Sequence, residues 1–410
     1  MKLMAPVICL LLFTPAFGKI IPVGANEAVK KIGQAVQAAA SGDTILIKKG
    51  VYYVENVIIS KPVTLLGENR PVLHGSDKYE IFTISGTGVT VKGIHFTNSG
   101  YSSANDYAAI TIIDASNFVI EDNILTQTFF GIHVANSHHF TIKGNRLVGK
   151  TKSEQTSGNG IHLWKCSNAV IENNNSSGHR DGIYFEFVTN SLIKENVSHN
   201  NIRYGLHFMF SNDDVYSKNT FEANGAGVAV MFSKRVTMNE NIFENNWGPS
   251  AYGILLKEIT DSKINGSKFY RNTVAIYMEG ANRIEISNNT FRENGWASKV
   301  QASCSDNNFH HNNFLSNTFD IATNGSLVLN KFSDNYWDKY EGYDINRDGI
   351  GDVPYHPVSM YSMLIEQNPN SLLLLRSFII TLLDKAEKAI PSLTPETLRD
   401  DKPRMRQLAI

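Results

Sequence analysis

Four consecutive segments of the chain repeat one pattern, and this repeat limits the possible folds more than any other feature. The copies open on Gly160, Gly182, Gly205 and Gly227, at spacings of 22, 23 and 22 residues. Within a copy the pattern is that of a β-strand, in which Ile161 and Leu163 fall on one face and His162 and Trp164 on the other. Short strands at a fixed period near 22 indicate stacked coils that cover one another. The sequence therefore predicts an all-β chain folded as a right-handed parallel β-helix, a pectate-lyase-like solenoid.

A closing asparagine repeats with the same period. Six of its eight intervals are 22 or 23 residues, and the longest interval contains the polar segment 150–159, which we interpret as an inserted loop. Stacked amides can hydrogen-bond to the coils above and below, and asparagine tolerates left-handed backbone, so we expect an asparagine ladder along one corner. Its members are Asn123, Asn145, Asn174, Asn196, Asn219, Asn241, Asn289 and Asn312, with Ser267 in one place.

The flanking segments divide the chain into four parts. Residues 1–18 have the layout of a secretory signal peptide, and residues 19–40 contain apolar positions at helical spacing from Asn26 to Ala40, which predict an N-terminal capping helix. The β-helix of roughly 13 coils occupies 41–356. Residues 357–410 form a C-terminal helix, centred on the apolar stretch 371–390, and a tail that is extended or disordered on its own. The helix either packs on the chain's own β-helix or docks on another protein.

Charge and cysteine content exclude some functions. The chain has 38 basic and 39 acidic side chains, so nothing in its charge indicates nucleic-acid binding. Beyond the signal peptide there remain Cys166 and Cys304, about six coils apart, or about 29 Å at the strand spacing of a sheet. We expect two free thiols, because a disulfide requires Cα atoms within about 7 Å.

A segment near the end of the repeats resembles half of a calcium-binding loop. Asp344, Asn346, Asp348 and Asp352 place oxygen-bearing side chains at alternate positions around a glycine, as hard cations require. Tyr355 stands where such a loop needs a bidentate carboxylate. The alternative is a tight turn that closes the last coil without a cation.

Parallel β-helices commonly act on acidic polysaccharides, so a lyase, hydrolase or epimerase is one candidate function. The suggestive cluster is His179-Arg180-Asp181, with Arg203 and Tyr204 one coil later. The outward carboxylates do not form the column that a calcium-bridged uronate site requires. The Asp-Pro-His-Asp motif associated with alginate epimerases is also missing.

The outward columns favour a different chemistry when the copies are aligned on their glycines. His207 then lies on the same strand face as Met209, and Met209 lies beside Met231 on the next coil, with His162 and Glu186 nearby as further candidate ligands. Thioether and imidazole groups select a soft ion such as Cu(I), which we expect to bind transiently. The alternative is a partner-binding patch or a platform for a sugar.

The chain also resembles the NosD family over nearly its whole length after the signal peptide. The resemblance rests on Asp-Gly-Ile-Tyr-Phe-Glu at 181–186, Arg-Tyr-Gly-Leu-His-Phe-Met at 203–209, Gly-Val-Ala-Val-Met at 227–231, and the later segments 335–338 and 349–352, with the exported start and the apolar tail. It implies a non-enzymatic periplasmic protein that works with an ABC transporter in supplying copper to nitrous oxide reductase. The implied partners are the transporter's membrane and ATPase subunits, which hold the protein at the inner membrane, a copper donor chaperone and the reductase.

Overall fold

The computed structural model describes residues 18–102, 106–150, 153–325, 329–389 and 398–410. Within these residues the chain winds into a parallel β-helix in which each full coil contributes one strand to each of three sheets, here called sheets I, II and III. One coil, for example, runs through Leu192–Lys194, Val197–His199 and Tyr204–Met209 in that order. The thirteen strands of sheet II correspond to the roughly 13 coils predicted, so the predicted fold is confirmed. The predicted signal peptide falls almost entirely on residues 1–17, outside the described residues, and stays a prediction.

Each sheet is a continuous parallel ladder that runs along the helix axis. The described strands of sheet I are Ile20–Val23, Thr44–Ile47, Thr64–Gly67, Thr90–Lys92, Val119–Glu121, His138–Lys143, Ser167–Glu172, Leu192–Lys194, Val215–Ser217, Thr237–Asn239, Lys263–Asn265, Glu285–Ser287, Ser305–His310 and Leu329–Ser333. Those of sheet II are Val51–Tyr53, Val72–His74, His95–Thr97, Ile124–Thr128, Arg146–Gly149, Asn175–Ser177, Val197–His199, Thr220–Glu222, Ile242–Glu244, Lys268–Tyr270, Thr290–Arg292, Asn313–Leu315 and Tyr336–Trp337. Those of sheet III are Val57–Ile59, Phe82–Ile84, Ala108–Ile113, Phe130–Ala135, Ile161–Trp164, Asp181–Glu186, Tyr204–Met209, Ala226–Met231, Tyr252–Lys257, Val274–Glu279, Trp296–Val300 and Phe319–Ala322.

The core consists of columns of like side chains, because the same position in every coil points inward. One column stacks phenylalanine rings with centroids 4.7–5.4 Å apart and ends on Trp337, whose ring lies 3.9 Å from the last phenylalanine. Such columns bury the inner faces completely and leave the outward positions free to vary. The phenylalanines of this column are Phe221, Phe243, Phe269, Phe291 and Phe314.

The predicted asparagine ladder is present at the corner between sheets I and II. The main-chain N–H and the side-chain Nδ2 of Asn196 both donate to Oδ1 of Asn219, at 3.0 and 2.9 Å, and Asn219 donates in the same way to Asn241. The left-handed residue is the one before each ladder position, such as Glu195 with a φ of 56° and Lys218 with a φ of 55°. The expectation that the ladder asparagine itself takes this conformation is therefore wrong. Its side chain serves to satisfy buried backbone groups.

A second ladder, which the sequence analysis missed, runs along the corner between sheets II and III. Each member's main-chain N–H donates to the side-chain oxygen of the next at 2.9–3.2 Å. The two corners on either side of sheet II are thus fixed by buried amides, which makes the coils rigid. The members are Asn201, Asn224, Asn246, Asn272, Asn294 and Asn317.

The N-terminal helix is shorter than predicted. Helix α1 spans Ile32–Ala38, whereas residues Ile20–Val23 already form the first strand of sheet I. Val29 pairs with Val23 in a parallel bridge, and its carbonyl accepts a hydrogen bond of 3.1 Å from Gly24, so the backbone before α1 is extended. The apolar face of α1 is buried against the first strands, where a capping helix is expected.

The predicted C-terminal helix is broken into three pieces. Helix α2 spans Met360–Gln367, a 3-10 helix spans Pro369–Leu374, and helix α3 spans Phe378–Ala389. Arg376, with a φ of 65°, interrupts the helical backbone before α3. Helix α2 and Ile380 pack on the last strand of sheet III, yet Leu373 is 90% exposed and Phe378 is 82% exposed. In the described part of the chain, no helix combines the length and the hydropathy needed to cross a bilayer.

The last residues do not stand alone, contrary to one reading of the sequence. Residues 398–410 are extended but packed on the end of the β-helix, where Leu398 and Asp400 are fully buried. One carboxylate oxygen of Asp400 accepts from the main-chain N–H and Nδ2 of Asn335, at 3.1 and 3.0 Å, and from Nε1 of Trp337 at 3.0 Å. Asp400 thereby adds one more place to the first ladder. The tail is ordered because Asp400 supplies the acceptor for buried donors that lie up to 65 residues earlier in the chain. The sequence of the tail alone does not show this contact.

Candidate metal centre

The structure aligns the outward side chains of sheet III as the glycine spacing predicted. Met209 pairs in register with Glu186 on one side and with Met231 on the other. His207 lies two residues before Met209 on the same face and pairs with Tyr184 and Ala229. The alignment is confirmed, whereas the metal-binding role of these residues stays a prediction.

His207 is deeply buried although it lies on the outward face. Its side chain is 7% exposed, and neither ring nitrogen has a hydrogen-bond partner among the described residues. Nδ1 lies 3.7 Å from Oδ2 of Asp181, which is too long for a hydrogen bond. Burying an imidazole without partners is costly, and a small shift toward Asp181 would give Nδ1 a partner.

Asp181 is held by an arginine from the next coil. Its carboxylate is fully buried and accepts from Nε of Arg203 at 2.9 Å and from Nη2 at 2.5 Å. Burial acts to raise the pKa of Asp181, but the hydrogen bonds and charge of Arg203 outweigh burial and hold the pKa below its usual value. The carboxylate is therefore ionised and positioned beside His207.

The insertion covers part of this face, while the rings of Tyr184 and Tyr204 flank His207 with centroids 5.0 and 4.9 Å away. Glu154, in the 3-10 helix Glu154–Thr156 of the predicted loop, lies 3.7 Å from Arg203. Nε of Arg180 donates to the side chain of Asn159 at 3.3 Å, and Nδ2 of Asn159 lies 3.2 Å from Nδ1 of His162. A loop that appears in the sequence only as a long interval therefore shields the site from one side.

Tyr184 occupies the centre of the site, a role that the sequence analysis did not assign. Its hydroxyl donates to Oε2 of Glu186 at 3.3 Å and lies 3.8 Å from Sδ of Met209. Burial, and then the charge of Glu186, raise the pKa of Tyr184 to about 12, so the phenol keeps its proton. The signal was present in the sequence, because Tyr184 stands in the histidine column between His162 and His207.

His162 does not join the methionine pair. Its ring contacts that of Tyr184 at a tilt of 57°, with centroids 4.6 Å apart, and is separated from the strand of Met231 by two intervening strands. At about 4.8 Å per strand, His162 and Met231 lie roughly 14 Å apart along the sheet, too far to share one ion. Burial lowers the pKa of His162 to about 3, so this imidazole is neutral. Glu186, by contrast, is adjacent to Met209.

The thiols do not contribute to this centre. Cys166 and Cys304 are both free, as predicted, and both are buried. They belong to the apolar core inside the coils, whereas the candidate ligands face outward, and burial raises the pKa of Cys166 to about 11. No group of three or more His, Cys, Asp and Glu side chains with metal-binding geometry occurs among the described residues. A metal centre here has to rely on the methionine sulfurs.

The candidate calcium loop is an exposed turn in which the side-chain oxygens bind backbone groups. Oδ1 and Oδ2 of Asp344 accept from the N–H groups of Asp348 and Gly349 at 3.1 and 2.9 Å, and Oδ2 of Asp352 accepts from Ile345 at 2.7 Å. Asn346 likewise accepts from the N–H of Asp348 at 3.0 Å. This arrangement favours the turn over the cation, and calcium binding stays a prediction.

Comparison with known proteins gives the same family by two routes. A family described as "Periplasmic copper-binding protein (NosD)" matches residues 149–348. The chain is 30% identical over 379 residues to a "Probable ABC transporter binding protein NosD" of Pseudomonas aeruginosa, covering 87% of each chain. It is 28% identical to the protein of the same description in Stutzerimonas stutzeri, covering 86% of this chain and 85% of that protein.

Solved structures show the fold alone. A family 28 exopolygalacturonase of Yersinia enterocolitica superposes with a TM-score of 0.51 at 11% identity, covering 79% of each chain. At that identity a shared β-helix carries no information about chemistry. In addition, the carboxylate of the cluster His179-Arg180-Asp181, which suggested polysaccharide chemistry, is fully buried and paired with Arg203.

Proposed function

Since this chain belongs to the NosD family of periplasmic copper-binding proteins, we propose that it carries Cu(I) transiently for the maturation of nitrous oxide reductase. In this proposal it is a non-enzymatic component of an ABC transporter, receiving the ion from a copper donor chaperone. The observation that supports the site most directly is His207, a buried imidazole with unsatisfied nitrogens two residues from a pair of stacked methionines.

The donor set suits a soft ion. Met209 and Met231 stand on adjacent strands, about 4.8 Å apart, so both thioethers can reach one ion without a change of the backbone. A metal-binding imidazole commonly directs its other nitrogen to a carboxylate, which fixes the ring. Nδ1 of His207 faces Asp181, so Nε2 is the nitrogen available for Cu(I).

The same set suits release as well as binding. Met209, Met231 and Glu186 are only partly buried, so a partner protein can reach the ion from the outward face. The two thioethers and the imidazole of His207 hold Cu(I) less firmly than a closed site of four ligands would. The rigid coils do not need to unfold for the ion to exchange. The hydroxyl of Tyr184 contacts Met209 in the structure, and it returns to that sulfur when the ion leaves.

The apolar residues around α3 are the proposed contact with the transporter's membrane subunit. Leu373, Phe378, Ile379 and Leu382 are all more than half exposed, at 90%, 82%, 53% and 55%. A contiguous apolar surface of this kind marks an interaction site. This contact would hold the protein at the inner membrane, with the ATPase subunit on the other side of the bilayer.

An anaerobic competition titration with a chromogenic Cu(I) chelator tests the site. We expect Met209→Ala, Met231→Ala and His207→Ala each to weaken binding by about tenfold or more, with an unchanged far-UV circular dichroism spectrum. Met405→Ala is the matched control, because this partly buried methionine lies at the far end of the β-helix and contacts it through its main chain. Affinity that is equal in all three variants and the control would contradict the proposed site.

A further inference from the structure

Three phenylalanines form an exposed column beside the candidate metal centre. Phe187, Phe210 and Phe232 each directly follow a residue of the Glu186–Met209–Met231 column and are 44%, 38% and 41% exposed. Their rings stack with centroids 5.2 and 5.1 Å apart and planes within 17° of parallel. The column lines a shallow hollow of about 480 Å³.

The fold does not require phenylalanine at these positions, and the backbone disfavours it. All three residues have left-handed backbone, with φ values of 55°, 51° and 53°. The left-handed conformation costs a residue with a side chain roughly 1–2 kcal/mol. In other coils the same corner holds Asp114, Asn136 or Gly280, which adopt this conformation more easily. Three consecutive strained and exposed aromatics therefore indicate a surface that binds something.

Beyond each end of the column, the same corner position of the next coil holds a charged residue. Lys165 occupies the corner in the coil before Phe187, and Glu258 occupies it in the coil after Phe232, both with left-handed backbone. Lys165 lies over the ring of Trp164 at 4.2 Å. Neither Lys165 nor Glu258 forms a salt bridge within the described residues, so both charges are available.

The column is complementary to a second copy of itself that runs in the opposite direction. Its order along the sheet is Lys165, Phe187, Phe210, Phe232, Glu258. A twofold axis that crosses the column at Phe210 places Phe187 opposite Phe232 of a second copy and Lys165 opposite Glu258, twice in the dimer. A parallel arrangement would instead place Lys165 opposite Lys165 and Glu258 opposite Glu258, which is repulsive. Closed dimers of this kind use the same patch on both subunits.

From this pattern we propose that the phenylalanine column is the contact of an antiparallel homodimer. Five strands at about 4.8 Å give a contact line of roughly 19 Å, which is short for a stable interface. The association is therefore weak and reversible. Because Met209 and Met231 directly precede Phe210 and Phe232, the dimer also covers the approach to the candidate metal centre. The proposal does not depend on copper, and its test uses metal-free protein.

Sedimentation velocity over a concentration series up to about 200 µM, in buffer of low ionic strength, measures the association. We expect Lys165→Glu and Glu258→Lys, each alone, to weaken the dimer by about tenfold or more, because each change converts two attractive contacts into two repulsive ones. The double exchange Lys165→Glu with Glu258→Lys restores the original pairing and should bring dissociation back to within about threefold of the wild type.

Phe210→Asn tests the aromatic contact without a risk to the fold. Asn136 occupies the same corner with a φ of 49°, so asparagine fits this backbone. We expect a folded protein, no less stable than the wild type, that remains monomeric. A wild-type protein that is monomeric at every concentration would overturn the proposal. So would single charge reversals that dimerise like the wild type, or a double exchange that fails to restore association.

Discussion

Asp214 is a buried carboxyl. Its replacement by asparagine should stabilise the protein relative to the wild type, by an amount that grows as the pH increases. Its side chain is fully buried, Oδ1 accepts from the N–H of Ser191 at 2.8 Å, and Oδ2 has no hydrogen-bond partner among the described residues. Burial is the main cause that raises the pKa of Asp214 from 3.8 to about 8. The native protein therefore keeps the carboxyl protonated at a pH where the unfolded chain has lost the proton.

The sign and size of the change in the free energy of unfolding follow from this difference in pKa. The raised pKa means that the contribution to stability is fully present below pH 3.8 and is lost as the pH rises from 3.8 to about 8. At about 1.4 kcal/mol per unit, the difference of 4.2 units between 8 and 3.8 corresponds to roughly 6 kcal/mol, of which about 4 is already lost at pH 7.

Asparagine removes the titration and keeps the acceptor. Later coils place Asn307 and Asn330 at the equivalent corner position, where each side-chain oxygen accepts from a buried N–H at 2.8 and 3.1 Å. The corner therefore accommodates the amide. We expect Asp214→Asn to match the wild type near pH 4 and to be more stable by several kcal/mol at pH 8.

Equilibrium unfolding in guanidinium chloride at pH 4, 6 and 8, followed by tryptophan fluorescence, measures the difference. Only its change with pH matters, so a constant offset from imperfect packing of the amide does not affect the result. Asp213→Asn is the matched control: this neighbouring carboxylate is only partly buried and is bound by Arg235, which lowers its pKa, so its loss should slightly destabilise the protein at pH 8. Equal pH dependence in the wild type and Asp214→Asn would show that Asp214 is ionised in the native state, and would refute this reasoning.

Three further changes probe the C-terminal part of the chain. Replacing Asp344 and Asp348 together by alanine should lower the midpoint of thermal unfolding without changing the affinity for Cu(I), because their side chains hold a turn at the last coils, several coils away from Met209 and Met231. A midpoint that neither the substitutions nor a calcium chelator changes would show that neither the turn nor calcium contributes to stability. Asp400→Ala should cost about 3 kcal/mol, because it leaves three buried donors without an acceptor, whereas Asp400→Asn, which keeps the acceptor, should cost much less in the same denaturant titration. Leu373→Asp with Phe378→Asp should abolish co-purification with the transporter while leaving the unfolding midpoint unchanged, and co-purification at full yield would place the docking surface elsewhere.

The deletion of residues from 371 onward would be a poorer test of docking than these substitutions. It would also remove Leu398 and Asp400, which the end of the β-helix buries. A loss of binding by the truncated protein would then be confused with a loss of stability.

The sequence predicts the position and register of each coil well. It predicts poorly which side chains from distant segments contact one another. Period, strand face and register all follow from the spacing of glycines and asparagines, so the neighbours of Met209 could be named without coordinates. The burial of His207 could not, because it depends on how the rings of Tyr184 and Tyr204 and the carboxylate of Asp181 pack around it. The place of Asp400 depends in the same way on a contact over 65 residues. Local patterns do not record contacts of this kind.

The first asparagine ladder has a direction, and Asp400 ends it. Each ladder amide accepts from the coil before it and donates to the coil after it, so the aligned amide dipoles leave an electropositive end at Asn335. A carboxylate at this end meets partial positive charge, as an acidic residue does at the N-terminus of a helix. Unlike asparagine, it has no N–H to offer a further coil. A β-helix that ended on an amide would leave side-chain N–H donors free to pair with the first coil of another molecule. The carboxylate of Asp400 offers no such donor, which disfavours end-to-end polymerisation.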